Sequence, residues 1–308
     1  MLLTVTLNTA LDITYRVPAL TPHASHRVEA VTERAGGKGL NVARVLAALG
    51  HETVVTGFAG GTTGAVLREL LAELPPTDAL IPVAGATRRT IAVVDATSGD
   101  TTQLNEPGPV ISPAEWEAFL ASYAELLTGA EAVALCGSLP PGVPVGAYGR
   151  LVRQARTAGV PVLLDTSGEP LRRGIAARPD LVKPNADELA QLTGSREPLR
   201  ATRDARRRGA RTVVASLGAD GMLAATPDGN WQATPPARFP GNPTGAGDSA
   251  VAGLLSGLVE QLPWPQRLAR AVALSAATVQ APTAGEFHRK TYEDLLPQVL
   301  VDALAQAG

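Results

Sequence analysis

Residues 160–185 read VPVLLDTSGEPLRRGIAARPDLVKPN and contain two short apolar runs, at 160–164 and 180–182. Each run passes directly into a polar segment, 165–169 after the first and 183–185 after the second. Short apolar runs that recur with helical stretches between them are typical of a parallel sheet flanked by helices. Similar runs occur at 3–7, 53–56, 132–135 and 212–215. The sequence therefore predicts an α/β fold with a central, mostly parallel sheet.

Polar segments that carry Gly or Pro follow five of these predicted strands. They lie at 8–12, 137–142, 165–169, 183–185 and 216–218. The carboxyl ends of parallel strands share one edge of a sheet, and ligands bind in the crevice beside that edge. We therefore expect these segments to build one shared site.

Composition excludes several classes of protein. The chain has 308 residues, of which 45% are hydrophobic, and a formal net charge of -2, which provides no overall attraction for nucleic acid or an anionic membrane. The single Cys136 cannot form an intrachain disulfide framework or a cysteine-based zinc site, which favours a reducing compartment. Since the first residues lack a basic leader and no apolar run approaches ~20 residues, we expect a soluble cytoplasmic protein without a membrane partner.

Two stretches interrupt the alternation of strands and helices, at 13–34 and 88–104. In the second, Ile91 and Val93 alternate with other residues before a turn at Ser98-Gly99-Asp100. We predict that both stretches form a small antiparallel sheet, the lid, which projects from a single domain over 1–308.

A glycine-rich segment, Ala35-Gly-Gly-Lys-Gly-Leu-Asn41, opens a predicted helix over 40–49. Glycines let the backbone approach a ligand, and both Lys38 and the helix N-terminus favour an anion. The alternative is a tight turn with a solvated lysine, but a turn alone needs neither three glycines nor a lysine. The segment therefore indicates a site for an anionic ligand.

A second glycine-rich segment, Asn242-Pro-Thr-Gly-Ala-Gly-Asp-Ser249, precedes a long apolar run. It places Gly245, Ala246 and Gly247 at a helix N-terminus, where their N–H groups could hold developing phosphate charge, with Asp248 as a base. Asp248 could instead only cap the helix, and the residues alone leave both readings open. A dinucleotide fingerprint is excluded because no strand precedes the glycines and no acid follows ~20 residues later.

Two further groups have structural and functional readings. Asn185-Ala-Asp-Glu188 has the spacing of a capping box, and by itself favours a helix start. Arg88 and Arg89 could clamp a phosphate, or could be edge-strand charges that prevent aggregation.

In chain order, seven motifs resemble those of the ribokinase-like PfkB sugar kinases, and most closely their phosphosugar branch of 1-phosphofructokinases and tagatose-6-phosphate kinases. The motifs are Thr6-Leu-Asn-x-Ala-Leu-Asp12, Gly36-Gly-Lys-Gly-Leu-Asn-Val-Ala43, Leu104-Asn-Glu-Pro-Gly108, Gly137-Ser-Leu-Pro-Pro-Gly142, Lys183-Pro-Asn-x-x-Glu-Leu189, Ser216-Leu-Gly-x-x-Gly221 and Gly245-Ala-Gly-Asp-Ser249. The resemblance implies a three-layer sandwich with a lid, and ATP-dependent phosphorylation of a sugar phosphate.

The resemblance also implies roles for individual residues. Asp248 would be the base, with Gly245, Ala246 and Gly247 as the anion hole. The implied sugar-phosphate contacts are Asp12, Gly37, Lys38, Asn41, Arg88 and Ser138. The implied ATP contacts are Lys183, Asn185, Ser216, Gly218 and Gly221. Glu188 would belong to a Mg²⁺ site.

The expected reaction is the conversion of fructose 1-phosphate to fructose 1,6-bisphosphate. Fructose 6-phosphate and tagatose 6-phosphate remain alternative substrates, and a catalytically silent sugar-phosphate sensor is the alternative that is not an enzyme. Because a small two-part lid cannot bury a core of its own, we expect it to pack on the lid of a second copy in a homodimer. Arg27, in the first lid segment, would then reach a phosphate near that interface.

Overall fold

The computed structural model describes residues 1–281 and 286–304. Its strands, numbered in chain order, are β1 (Leu2–Thr6), β2 (Ala10–Val17), β3 (Ala30–Gly36), β4 (Thr53–Gly60), β5 (Thr77–Asp78), β6 (Ile81–Val83), β7 (Arg88–Asp95), β8 (Thr101–Asn105), β9 (Ala132–Cys136), β10 (Val162–Asp165), β11 (Leu181–Val182), β12 (Thr212–Ser216), β13 (Met222–Ala225), β14 (Asn230–Thr234) and β15 (Leu300–Leu304). The helices are α1 (Lys38–Ala48), α2 (Gly61–Ala72), α3 (Pro113–Leu127), α4 (Ala147–Thr157), α5 (Gly168–Ala176), α6 (Ala186–Thr193), α7 (Pro198–Arg207), α8 (Ala246–Val259), α9 (Trp264–Val279) and α10 (Arg289–Leu295).

Eleven of these strands form the main sheet, in the order β15-β14-β13-β12-β11-β10-β9-β1-β4-β5, with β6 paired to β4. All neighbours from β12 to β5 run parallel, whereas β12, β13, β14 and β15 pair antiparallel at one edge. The prediction of a mostly parallel central sheet is confirmed. The sequence analysis did not predict the three antiparallel edge strands.

Helices cover both faces of the main sheet. Successive residues of a central strand point to opposite faces, and apolar residues occur on each face. Leu3 and Val5 of β1 pack in a cluster with α3 to α7, whereas Leu2 packs in a second cluster with α1, α8, α9 and α10. β9 divides in the same way, with Val133 and Leu135 on the first side. The result is the expected three-layer arrangement.

The lid is a separate four-stranded sheet in the order β3-β2-β7-β8. It is not the purely antiparallel sheet that we expected, because β2 and β7 pair in parallel from Ala10 opposite Arg88 to Val17 opposite Asp95. The parallel pair is possible because α1, β4, α2, β5 and β6 lie between the two strands in the chain and return it to the same end. The lid also begins earlier than predicted, at Ala10, and its second half ends at Asn105.

Within the described residues, no helix is long and apolar enough to cross a membrane.

Candidate active site

The polar segments that follow the parallel strands meet at the carboxyl edge of the main sheet, as predicted. Asn8 follows β1, Ser138 follows β9 and Lys183 follows β11, while Asp165 is the last residue of β10. Asn8 Nδ2 donates a hydrogen bond to Ser138 Oγ at 3.1 Å, and Asp165 contacts Lys183. Four separate strands therefore supply one crevice, between the sheet and the lid.

Asp248 lies in the first turn of α8, and the N-cap residue Gly245, which precedes the helix, has the left-handed conformation that favours glycine, with φ 83°. The carboxylate does not cap the helix; its Oδ2 instead accepts a hydrogen bond from Asn41 Nδ2 at 2.9 Å. Burial raises the pKa of Asp248 to about 6, although the Lys38 ammonium opposes this shift. A buried carboxylate with such a pKa is suited to accept a proton near neutral pH.

Asp165 is the central charged residue that the sequence analysis did not single out. Its side chain is 1% exposed; Oδ2 accepts a hydrogen bond from Lys38 Nζ at 3.2 Å, and Oδ1 lies 3.4 Å from Lys183 Nζ. Burial opposes ionisation, but the ammonium groups of Lys183 and Lys38 outweigh it and lower the pKa of Asp165. Its position at the end of a predicted strand was the only signal that could have identified it.

One cleft, of about 400 Å³, lies between the lid and the body. Asp12, Thr90 and Asn41 line it, together with Asn242 and Thr244 before α8. Asp12 and Thr90 face each other across β2 and β7, and burial raises the pKa of Asp12. Of the six expected sugar-phosphate contacts, Asp12 and Asn41 line this cleft.

The other four expected sugar-phosphate contacts do not line this cleft, and Ser138 lines a separate cavity together with Thr166. Gly37, with φ 117°, precedes α1, and Lys38 is its first residue. Ser138 and Arg88 both contact Asn8, since Arg88 Nε donates to the Asn8 carbonyl at 3.3 Å. The lid and the segments after β1 and β9 are therefore joined by Asn8, another residue that the sequence analysis did not single out.

A second cleft, of about 670 Å³, lies on the other side of the α8 N-terminus. It contains four of the five expected nucleotide contacts, Asn185, Ser216, Gly218 and Gly221, and Ala246 and Gly247 also line it. The fifth expected nucleotide contact, Lys183, points to Asp165. Its ammonium group lies next to Gly247, where an added Cβ would be 3.6 Å from Lys183 Nζ.

Asn185 and Glu188 form the capping box that their spacing predicts. Asn185 Oδ1 accepts from the Glu188 N–H at 2.8 Å, and Glu188 Oε2 accepts from the Asn185 N–H at 2.9 Å. The capping role therefore exists, and it leaves the second carboxylate oxygen of Glu188 for another ligand. Arg27 is exposed in the loop between β2 and β3.

The arrangement brings two clefts to opposite sides of one helix N-terminus, with the buried carboxylate of Asp248 and two lysines between them. Such a site can bind two anionic ligands and move a charged group from one to the other with little covalent chemistry by the protein. These are the requirements of phosphoryl transfer, and they define the chain as a phosphotransferase.

Comparison with known proteins identifies the class more closely. Residues 5–290 match the model of the pfkB family carbohydrate kinases, and the chain belongs to this family. It is 42% identical over 281 residues to a 1-phosphofructokinase of Rhodobacter capsulatus, which covers 89% of each chain. The protein is a sugar kinase, and the phosphate donor of such a kinase is ATP.

Solved structures agree with the fold. The tetrameric inhibited form of phosphofructokinase-2 from Escherichia coli has a TM-score of 0.88, with 28% identity over 96% of this chain and 98% of that one. The structure of a possible 1-phosphofructokinase from Thermotoga maritima has a TM-score of 0.89 and 26% identity over 99% of this chain and 100% of that one.

Replacing Asp165 with Asn should destabilise the protein by about 3–5 kcal/mol, because the buried Lys183 and the partly exposed Lys38 would lose their shared counter-charge. The free energy of unfolding in urea measures this loss. The control is Asp204→Asn, which removes an exposed ion pair with Arg207 at 2.8 Å and should cost less than about 1 kcal/mol. Equal losses in the two variants would contradict a special role for Asp165.

Proposed function

We propose that this protein is an ATP-dependent 1-phosphofructokinase, which converts fructose 1-phosphate to fructose 1,6-bisphosphate. The observation that carries the proposal is the position of Asp248, a buried carboxylate between two clefts with its pKa raised to about 6. The 42% identity to a 1-phosphofructokinase supports the choice of substrate. The similarity to phosphofructokinase-2 makes fructose 6-phosphate the first alternative, and tagatose 6-phosphate is the second.

In the proposed reaction, the cleft under the lid binds the sugar phosphate and the cleft beside β12 binds ATP. Asp248 takes the proton of the acceptor hydroxyl as its oxygen forms a bond to the γ-phosphorus. The bond from that phosphorus to the β–γ bridging oxygen breaks, and ADP leaves. The N–H groups of Gly245, Ala246 and Gly247 stabilise the charge that develops on the transferred group.

The two lysines have separate tasks in this scheme. Lys38 is partly exposed, with 42% of its side chain accessible, and Asp165 raises its pKa, so it stays charged and can meet a phosphate. Lys183 is 5% exposed beneath Gly247 and supplies positive charge under the proposed anion hole. Arg88 and Ser138 both contact Asn8 after β1, and closure of the lid over the sugar phosphate would exclude water.

Glu188 is the residue that would hold Mg²⁺. Its one oxygen outside the capping box and the hard carboxylate donor fit an ion that binds one or two carboxylates and the phosphates of its substrate. No group of three His, Cys, Asp or Glu side chains forms a metal cluster among residues 1–281 and 286–304, so the protein alone would supply a minority of the ligands. When bound, Mg²⁺ neutralises charge on the phosphates.

We further propose a homodimer formed through the lids, with the chain acting as one kinase domain in the cytoplasm. Val31 on β3 and Leu104 on β8 are each 57% exposed, and both belong to edge strands of the lid. Exposed apolar residues on sheet edges favour association with another copy. Arg27 lies in the same half of the lid, in the loop that precedes β3, from which it could reach a partner's sugar phosphate.

The substrate is tested by a coupled assay of ADP release with fructose 1-phosphate, fructose 6-phosphate and tagatose 6-phosphate. We expect the highest kcat/KM with fructose 1-phosphate. A higher value for either other sugar would replace the proposed substrate within the same family. Binding of a sugar phosphate without ADP release from any of the three would favour a silent sensor.

Asp248→Asn should lower kcat by about 10²- to 10⁴-fold while ATP and sugar phosphate still bind, because it keeps the shape of the side chain and loses the base. The raised pKa means that ionisation of Asp248 costs stability, and this cost appears as the pH rises through about 6. At pH 7.5 the variant should therefore unfold at the same or a higher temperature than the wild type. A kcat near that of the wild type would exclude Asp248 as the base.

Light scattering at micromolar concentration should show a dimer for the wild type and a monomer for Val31→Glu. Leu300→Glu is the matched control, since Leu300 is 67% exposed on β15, outside the lid, and this variant should remain a dimer. A fully active wild-type monomer, with and without sugar phosphate, would exclude the dimer and any role for Arg27 across it.

A further inference from the structure

Asn41, one of the expected sugar-phosphate contacts, uses both ends of its amide inside the protein. Nδ2 donates to Asp248 Oδ2 at 2.9 Å, and Oδ1 accepts a hydrogen bond from Arg44 Nη1 at 2.9 Å. Arg44 is on the same helix, three residues further on, and its Nη2 donates to the Ala35 carbonyl. Asn41 is buried, with 8% of its surface exposed. The amide therefore bridges an arginine and the proposed base.

The chemistry of arginine decides which way this amide points. A guanidinium group has donors and no acceptor, so it can pair with Oδ1 of Asn41 and not with Nδ2. In the flipped orientation, Nδ2 would face the donors of Arg44 and Oδ1 would face the carboxylate of Asp248. Both contacts would be repulsive. Burial lowers the pKa of Arg44 to about 10, which still leaves it charged at neutral pH.

We propose that Arg44 is a positioning residue for the base: it orients the Asn41 amide so that Asp248 holds a hydrogen bond on Oδ2 and presents Oδ1 to the acceptor hydroxyl. This inference rests on the proposed function of Asp248. Within the described part of the chain, Asp248 Oδ2 accepts a hydrogen bond from Asn41, and Oδ1 accepts none from a side chain. The Asn41 donor also favours the ionised form of the base, which counteracts part of the effect of burial.

Other charged groups surround these residues and remain in place when Arg44 is changed. Asp248 is faced by Lys38 at the start of α1, Asp165 at the end of β10 and Lys183 after β11. Arg44 is faced by Asp12 on β2, Arg34 on β3 and Glu286. A variant at Arg44 therefore changes the hydrogen bond to the base without removing a charge that contacts Asp248.

The test is the dependence of kcat on pH in the full-length enzyme with saturating ATP and sugar phosphate. In Arg44→Met, Asn41 loses the partner that orients it. The midpoint of the acid limb should therefore move to higher pH by about one unit. Well below the midpoint of the wild-type acid limb, kcat should then fall about tenfold relative to the wild type, with a smaller loss at pH 8. Arg44→Lys retains a donor and should keep the acid limb closer to its wild-type position.

The matched control is Arg68→Met. Arg68 on α2 also donates to a backbone carbonyl, that of Leu80 at 2.7 Å, and pairs with Asp78, far from Asp248 in the fold. It should lose some thermal stability with no shift of the acid limb. If Arg44→Met does not fold, Arg44→Gln is tested in its place. Glutamine can accept as well as donate a hydrogen bond, so it permits the flipped Asn41 amide. The midpoint of the acid limb should then also move to higher pH.

An unchanged acid limb in folded Arg44→Met or Arg44→Gln would overturn the inference. A higher KM for the sugar phosphate with no pH shift would also overturn it, because Arg44 would then be a substrate ligand. Failure of the proposed function looks different, since Asp248→Asn would then remain active or the wild type would lack kinase activity.

Discussion

The shared ion pair of Asp165 with Lys38 and Lys183 is the interaction on which the active site depends. Three side chains from separate parts of the chain meet here, and water barely reaches Asp165 and Lys183, whereas Lys38 is partly exposed. A lysine buried without a counter-charge would be neutral or would move to solvent. Since one carboxylate serves two ammonium groups, these three side chains carry one net positive charge, which the ionised Asp248 beside them balances. The two ammonium groups remain available to interact with phosphate-bearing substrates.

The fold explains how these residues reach one place. Parallel pairing brings the carboxyl ends of β1, β9, β10 and β11 to a common edge, and the helices α1 and α8 begin at the same edge. Both helices start at a glycine with positive φ, Gly37 and Gly245, where a larger side chain would be strained. The two N-termini contribute positive electrostatic potential to the crevice in addition to the lysines.

The sequence predicted the layout of the parallel strands and four of the five expected nucleotide contacts that line the second cleft, because strand ends and glycine-rich helix starts are local signals. Of the six expected sugar-phosphate contacts, two line the cleft under the lid. The sequence did not predict the pairing of β2 with β7, which depends on a long connection through the body. It also did not predict that Lys183 turns to Asp165, or that Asn41 bonds to Asp248, since these partners lie 18 and 207 residues apart in the chain. Such contacts follow from the packing of whole elements and leave no short motif.

Two buried carboxylates close to the same lysines have pKa values that are shifted in opposite directions. The difference distinguishes the structural role of Asp165 from the catalytic role proposed for Asp248. Asp165 has an ammonium group beside each oxygen, so its pKa is lowered and it stays ionised. Asp248 has one neutral amide as a hydrogen-bond donor, and burial raises its pKa to about 6. A carboxylate that stays ionised can hold cations but is a poor proton acceptor, whereas one with a raised pKa can take a proton near neutral pH. The fold therefore places its strong electrostatic contacts on Asp165 and leaves Asp248 weakly stabilised, which is the property that its proposed role as the base requires.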